Sequence, residues 1–191
     1  MTTRIELVPM QREHLPLLVE LDADAQVLRF ILGRARSAQE VLDYWGPICA
    51  DTDADAVRLG WWIGRRRGDG DFLGWWDLSP ERPVPERPTR AEAGWRLRRQ
   101  HWGHGYATEG AAGLFEHGFL TLGLSSIWAE TMAVNHPSRT VMSKLGMRHV
   151  RTEHRDWPDP LPGADQGEVV YEITRREWLT GAGTRGASAR E

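Results

Sequence analysis

The spacing of apolar and polar residues predicts short strands that alternate with amphipathic helices. Apolar and polar side chains alternate over residues 4–8, which is the period of a strand with one buried face. Leucine and valine recur every three or four residues from Leu15 to Leu21, which is the period of a helix, and Pro16 fits its first turn. Ser37 followed by Glu40 forms a capping-box pattern, so a second helix is expected to begin there.

The middle of the chain predicts a β-hairpin followed by a third strand. Residues 57–66 and 72–78 are rich in apolar and aromatic side chains, and the turn sequence R-G-D-G separates them, which favours an antiparallel hairpin. Four prolines in residues 80–88 indicate a loop. Residues 91–98 then read as a strand that leads into a glycine-rich motif.

The second half of the chain predicts two helices and three strands. An apolar stripe marks a helix from Gly105 to Leu122, and Gly123 fits its end. A shorter helix opens at Asn135 and closes at Gly146. The remaining strands are expected at residues 126–133, 147–155 and 168–174. Because a helix joins strands 91–98 and 126–133, those two strands should be parallel.

Together these elements predict an α+β fold with a mixed, mostly antiparallel central sheet of six or seven strands and helices on both faces. A length of 191 residues suits one domain. We expect that domain to span residues 1–179. The small and polar residues 180–191 are expected to form a flexible tail.

Composition and charge argue against several classes of function. The net charge is −3, which offers no basic field for nucleic acid. No apolar run approaches the ~18 residues that a membrane span needs. Cys49 is the single cysteine, so an internal disulfide framework is excluded. The first residues show no signal-peptide pattern, and we therefore expect a cytoplasmic protein without nucleic-acid or membrane partners.

The most informative motif is Gln100-x-x-Gly103-x-Gly105, which lies between a predicted strand and a predicted helix. Two glycines let the backbone bend tightly and approach a ligand closely. The start of the helix adds unpaired N–H groups and the positive end of its dipole, which together favour a phosphate-bearing ligand. A tight strand-to-helix turn without a ligand is the alternative interpretation.

The segment from Glu92 to Val150 resembles the GNAT acyltransferases, and within them the branch of ribosomal-protein N-terminal acetyltransferases. Residues 102–109 read W-G-H-G-Y-A-T-E, which is similar to the W-G-x-G-Y-A-T-E run of that branch. Residues 91–95, A-E-A-G-W, resemble its A-E-I-G-Y strand. Asn135-x-x-Ser138 and the later K-L-G-M are similar to its N-x-x-S and K-L-G endings.

The resemblance implies the GNAT fold, in which the parallel strand pair splays around the pantetheine arm of acetyl-CoA. It implies acetyl-CoA as donor and a primary amine as acceptor, either a small molecule or a peptide N-terminus. A backbone N–H near Leu97 or Arg98 would polarise the thioester carbonyl. Arg98 and Arg99 would lie near the 3′-phosphate or serve only the surface. The other residues implied to bind the cofactor are Gln100, Trp102, Gly103, His104, Gly105, Tyr106, Ala107, Thr108, Asn135 and Ser138.

The same resemblance implies direct attack by the amine, with Glu92 as the base that acts through a water. Many relatives carry an acidic tyrosine seven residues after the asparagine, where this chain has Met142. Ser138 or a water could protonate the leaving thiolate instead, or it could leave unassisted. Simpler interpretations stay open: Glu92 as a surface carboxylate, Asn135 as a helix cap, and Ser138 as a solvated residue.

Three further expectations follow. His101 and His104 lie in a turn without the ligand spacing of a metal site, so we expect no metal. In each of the pairs Trp61–Trp62 and Trp75–Trp76, one ring should face away from the other, toward an acceptor pocket, a dimer contact or the first helices.

Relatives are often dimers, which suggests a homodimer. A CoA-binding module without turnover is the alternative function.

Overall fold

A seven-stranded mixed sheet runs through the protein in the order β1-β2-β3-β4-β5-β7-β6. We analysed a computed structural model, which describes residues 2–50 and 57–187. The strands are β1 (Ile5–Pro9), β2 (Gly60–Arg66), β3 (Phe72–Pro80), β4 (Arg90–Leu97), β5 (Ser126–Met132), β6 (Arg148–Glu153) and β7 (Glu168–Thr174). All seven were predicted, although β2 begins three residues later than expected. Residues 51–56 lie outside the described residues.

Within the part of the chain that the structure describes, five α-helices accompany the sheet. They are α1 (Leu15–Asp22), α2 (Ala38–Ile48), α3 (Tyr106–Glu116), α4 (His136–Lys144) and α5 (Arg175–Ala187). A π-turn at His117–Thr121 continues α3. The capping box of α2 is confirmed, because the Ser37 side chain accepts from the Glu40 N–H at 3.3 Å and the Ser37 N–H donates to the Glu40 carboxylate at 2.7 Å.

Helix α5 was not predicted, although the sequence carries its start signal. The hydroxyl of Thr174 accepts from the Glu177 N–H at 3.3 Å, and the Thr174 N–H donates to the Glu177 carboxylate at 2.9 Å. This reciprocal arrangement is a second capping box, with the pattern T-x-x-E. Residues 180–187 of the expected tail therefore belong to a helix, and residues 188–191 lie outside the described residues.

One strand pair is parallel, and its pairing is short. Strands β4 and β5 pair only at Arg90 with Ser126, Ala91 with Ile127 and Glu92 with Trp128. Beyond Glu92, β4 stays paired with β3 as far as Leu97, whereas β5 pairs with β7. The predicted fold class is thus confirmed: a mostly antiparallel sheet with one splayed parallel pair and helices on both faces.

Strand alternation divides the core between the two faces of the sheet. On one face Trp76 is fully buried with side chains of α3, α4 and β7. On the other face Trp61 and Trp75 pack edge-on against Trp45 of α2, with ring centroids 4.9–5.4 Å apart. Three alternatives were open for the ring of each Trp pair that faces away from the other. For Trp61 and Trp75 the structure supports contact with the first helices.

We predict that Gly110→Ala destabilises the protein, although alanine favours helices by about 1 kcal/mol. A Cβ at Gly110 of α3 would lie 2.4 Å from the Trp76 ring, and that ring is held by a 3.1 Å bond from its N–H to the Ala107 carbonyl. Overpacking of this kind costs about 1–3 kcal/mol, measured by urea unfolding. In a Trp76→Phe background the same change should cost less. An equally or more stable Gly110→Ala protein would contradict the packing described here.

Candidate functional site

The splayed pair leaves one edge of β4 facing a gap. The Arg98 N–H donates to the Leu73 carbonyl of β3 at 2.9 Å. Because backbone groups alternate between the two sides of a strand, those of Ala93, Trp95 and Leu97 point to the opposite side, toward β5. Strand β5 no longer pairs with β4 at this level. An extended ligand could therefore pair with the β4 edge as a strand would.

This geometry distinguishes between the two backbone N–H groups, those of Leu97 and Arg98, that were expected to polarise the thioester carbonyl. The N–H of Arg98 is engaged by Leu73, so the suggestion that it polarises a carbonyl in the gap is wrong. The N–H of Leu97 is directed to the gap. The Leu97 carbonyl accepts from the Trp102 indole N–H at 2.9 Å, which fixes the turn that follows β4 against the strand end.

The glycine-rich turn has the backbone that its sequence predicts. Gly103 and Gly105 have φ values of 76° and 81°, in the left-handed region that favours glycine. Gly105 is the N-cap of α3, and its carbonyl accepts the first helical bond, from Glu109, at 3.0 Å. The amides of the first turn, Tyr106, Ala107 and Thr108, therefore have no helical partner and emerge at the positive end of the helix dipole.

Arg4, which directly precedes β1, supports this turn, and sequence reasoning missed it. Its backbone N–H and its Nε both donate to the Glu109 carboxylate at 2.6 Å, and its Nη1 donates to the His104 carbonyl at 3.1 Å. Its guanidinium lies 4.6 Å from the centroid of the Tyr106 ring. No local pattern could have indicated this role, because the partners are about a hundred residues apart in the chain.

The predicted residues before the turn line a groove of about 420 Å³ beside the end of α1. Arg98 forms ion pairs with Glu20 and, at 3.3 Å, with Asp71. Arg99 lies 3.4 Å from a carboxylate oxygen of Asp24. Both guanidinium charges are thus already opposed by carboxylates. The residues that line the groove are Glu20, Leu21, Asp24, Val27, Arg98, Arg99 and Gln100.

Glu92 is the last residue of β4 that pairs with β5, and it lies on the face of the sheet that α1 and α2 cover. It stands opposite Ser79 of β3 and Trp128 of β5, and it is half-buried. Burial raises the pKa of Glu92 to about 7, with a further rise from the nearby charge of Glu130 and an opposing effect of Arg155. The structure therefore does not place Glu92 as a fully solvated surface carboxylate.

A second carboxyl, which the sequence analysis did not single out, lies next to Glu92. Asp77 of β3 is only 5% exposed, and its carboxylate accepts from the Ser79 hydroxyl at 2.7 Å. Burial, and then Glu92, raise the pKa of Asp77 to about 8. The sequence held one signal: Asp77 follows Trp75 by two residues, so it faces the same packed side of the strand.

A buried ionic network ties α1 to β4 on this face. The Asp22 carboxylate is fully buried and accepts from Arg96 at 2.6 Å, from Arg36 at 2.9 Å and from the Trp45 indole at 3.2 Å. Among the described residues, three buried donors on the face make no hydrogen bond: the Nε of Arg96 and the indole N–H groups of Trp75 and Trp128. The face that carries Glu92 therefore combines these buried polar groups with the packed rings of Trp45, Trp61 and Trp75.

The expected pantetheine residues have structural roles at the start of α4. The Asn135 side chain accepts from the Ser138 N–H at 3.3 Å and donates to the Thr131 hydroxyl at 2.8 Å, so it caps the helix. The Ser138 hydroxyl makes no hydrogen bond within the described part of the chain. Met142 is buried in the core, where it can neither donate nor accept a proton.

Within residues 2–50 and 57–187 there is no group of three or more His, Cys, Asp or Glu side chains that could hold a metal ion. In the same residues no helix has the length and apolar character required to cross a membrane.

Comparison with known proteins places this geometry in a family. The sequence profile of the acetyltransferase (GNAT) domain matches residues 4–148. The FsC-acetyl coenzyme A-N(2)-transacetylase of Aspergillus fumigatus is 39% identical over 181 residues, which cover 93% of this chain and 77% of that protein. The chain therefore belongs to the GNAT acetyltransferase family, whose general reaction is acetyl transfer from acetyl-CoA.

Solved structures show the same fold at low sequence identity. A GNAT-family acetyltransferase from Bacillus anthracis superimposes with a TM-score of 0.74 at 18% identity, covering 92% of this chain and 98% of that one. The ribosomal alpha-N-protein acetyltransferase RimL, in complex with coenzyme A, gives a TM-score of 0.73 at 15% identity, covering 91% and 95%.

Proposed function

From membership of the GNAT acetyltransferase family, we propose that this protein transfers an acetyl group from acetyl-CoA to a primary amine by direct attack within a ternary complex. The observation that carries the proposal is the gap beyond Glu92, where β4 has left β5. The glycine-rich turn, to which we assign the pyrophosphate, lies at one end of that gap, and the half-buried Glu92 lies at the other. These are the parts that a direct transfer requires: a grip on the donor and a base for the acceptor.

The donor half rests on backbone groups. The turn from Trp102 to Ala107, together with the Thr108 amide, would hold the pyrophosphate, and Arg4, whose charge Glu109 opposes, would hold this turn in place. The β4 edge would pair with the pantetheine arm. The Leu97 N–H would stabilise the oxyanion that forms when the amine attacks the thioester carbonyl. Gln100, Asn135 and Ser138 stay proposed contacts of the donor, whereas Arg98 and Arg99 are proposed only as residues near its 3′-phosphate.

The acceptor half rests on the face of the sheet that carries Asp77 and Glu92, which we call the acidic face. Glu92 and Asp77 would attract an ammonium group, which then loses a proton to Glu92 through a water. The resulting amine attacks the acetyl carbon and the C–S bond breaks. The acetylated nitrogen gives up its second proton to solvent, and the CoA thiolate takes up a proton. Ser138, which regains its proton from solvent, is the proposed donor to the thiolate, since Met142 cannot supply a proton; a water or unassisted departure is the alternative.

The names of relatives support an amine acceptor without identifying it. The relative from A. fumigatus is named for transfer to an N(2) nitrogen, and RimL for transfer to a protein alpha-nitrogen. We propose an acceptor of this kind, either a small molecule or a peptide N-terminus, and similarity to the ribosomal-protein branch as part of the same proposal. A cytoplasmic location, a homodimer and a domain spanning residues 1–179 stay predictions.

The test is a coupled assay for free CoA thiol with a panel of primary amines and N-terminal peptides. We expect steady thiol release that depends on an added amine and yields the N-acetyl product by mass spectrometry. The competing function, a CoA-binding module without turnover, predicts CoA binding by calorimetry with no release from any acceptor. Release at the same rate without amine would indicate thioester hydrolysis and contradict the proposal.

We predict that Gly105→Glu abolishes CoA binding, because a carboxylate would occupy the phosphate pocket at the start of α3. Gly123→Glu is the matched control: Gly123 follows the same helix with a φ of 72° and open space around it. Both changes impose the strain of left-handed backbone, which costs about 1–2 kcal/mol. Calorimetry should show a loss of at least about 100-fold in affinity only for Gly105→Glu. Equal affinities in the two variants would place the diphosphate elsewhere.

We predict that Glu92→Gln lowers turnover more at neutral pH than at pH 9. The carboxylate acts as a base only when ionised, so wild-type turnover should rise as the pH passes the Glu92 pKa of about 7. The variant should lack this rise, with a loss of about 100-fold at neutral pH. At pH 9 solution supplies more free amine and the loss should shrink. Glu172→Gln, on the same sheet face, is the control. A loss that is independent of pH would indicate a positioning role for Glu92.

A further inference from the structure

Asp77 is a buried carboxyl without a directly bonded cation. Its only hydrogen bond to a side chain, within the described part of the protein, comes from the neutral Ser79 hydroxyl. The backbone of Gly94 also stabilises the carboxylate, and Arg96 attracts it at longer range. The Arg96 guanidinium donates its hydrogen bond to Asp22 instead. A carboxylate with so few partners is costly to bury, and groups of this kind concentrate at functional sites.

The absence of a side chain at Gly94 directs Asp77 toward the gap. Asp77 pairs with Gly94 across β3 and β4, and a Cβ at Gly94 would lie 2.3 Å from an oxygen of Asp77. The carboxyl therefore extends over β4 at the position two residues beyond Glu92. That is the level at which β4 has already left β5, and Asp77 and Glu92 share the face of the sheet.

The charged groups around Asp77 come from three elements, β4, α1 and β5. Glu92 and Arg96 face it from β4, and Arg96 is in turn held by Asp22 of α1. Glu130 of β5, paired with Arg155, acts on Glu92. The charge of Glu92 thus disfavours ionisation of Asp77, and a cation placed between the two carboxyls would favour ionisation of both.

We propose that Asp77 and Glu92 form a two-carboxyl site that binds the ammonium group of the acceptor at the point where β4 and β5 part. This inference rests on the proposed function and adds an acceptor-binding residue to it. When the ammonium binds, Asp77 releases its proton to solvent and stays as the counter-ion. The ammonium then loses its own proton to Glu92, so that each carboxyl has a separate task.

The test compares Asp77→Asn with wild type, using an amine that the wild-type enzyme acetylates. We expect the KM for the amine to rise roughly 10-fold or more, because one partner of a buried charge pair is lost. The KM for acetyl-CoA should be unchanged. In wild type, kcat/KM for the amine should depend on two ionisations, at the Glu92 pKa of about 7 and the Asp77 pKa of about 8. In Asp77→Asn the second ionisation should disappear.

Two further variants keep the test decisive. Glu168→Gln removes another carboxyl on the same sheet face whose pKa burial raises, and it should leave the KM for the amine and both ionisations unchanged. If Asp77→Asn does not fold, Ser79→Ala replaces it. Loss of the Ser79 hydroxyl should move the second ionisation to higher pH and raise the KM for the amine at pH 7.5.

The outcomes separate the inference from the proposed function. A wild-type enzyme that acetylates no amine overturns the proposed function and this inference with it. An active wild type whose Asp77→Asn variant keeps the KM and both ionisations overturns the inference alone, and shows that Asp77 only shapes β3. Equal effects of Asp77→Asn and Glu168→Gln would also overturn it, because general acidity of the face would then explain both.

Discussion

The early separation of β4 from β5 is the constraint on which the rest of the site depends. Three residue pairs hold the two strands together, and β4 then continues with β3 as its single partner. A strand edge inside a sheet leaves N–H and C=O groups that require partners. The glycine-rich turn lies at the end of that edge because it directly follows β4. The positions of this turn and of Glu92 thus have one common origin.

The acidic face contains two buried carboxyl groups with different surroundings. Asp22 is compensated three times, by Arg96, Arg36 and Trp45, and in this way it fastens the first helix to the sheet. Asp77 has no comparable partner. The first arrangement serves stability and shape, since breaking a buried pair is expensive. The second leaves a carboxyl whose ionisation burial disfavours, which is the property on which the proposed acceptor site rests.

The order of elements could be predicted from the sequence because it depends on local patterns. Period-two alternation, capping boxes, prolines and glycines act within a few residues, so the strands, the hairpin and the left-handed turn at Gly103 and Gly105 were all expected. Helix α5 was missed, although Thr174 and Glu177 form a capping box, because small and polar residues weaken its apolar stripe. That error came from weighting composition above the local start signal.

For this protein, the sequence alone determined the left-handed glycine turn, the family resemblance and the strand that carries Glu92. Only the tertiary structure decided that Arg4 supports the turn, that the Arg98 amide is engaged by β3, and that Asp77 lies beside Glu92. Those facts depend on strand register and on contacts between residues that are distant in the chain. Burial and charge then set the pKa values of the two carboxyls, and neither quantity exists before the chain has folded.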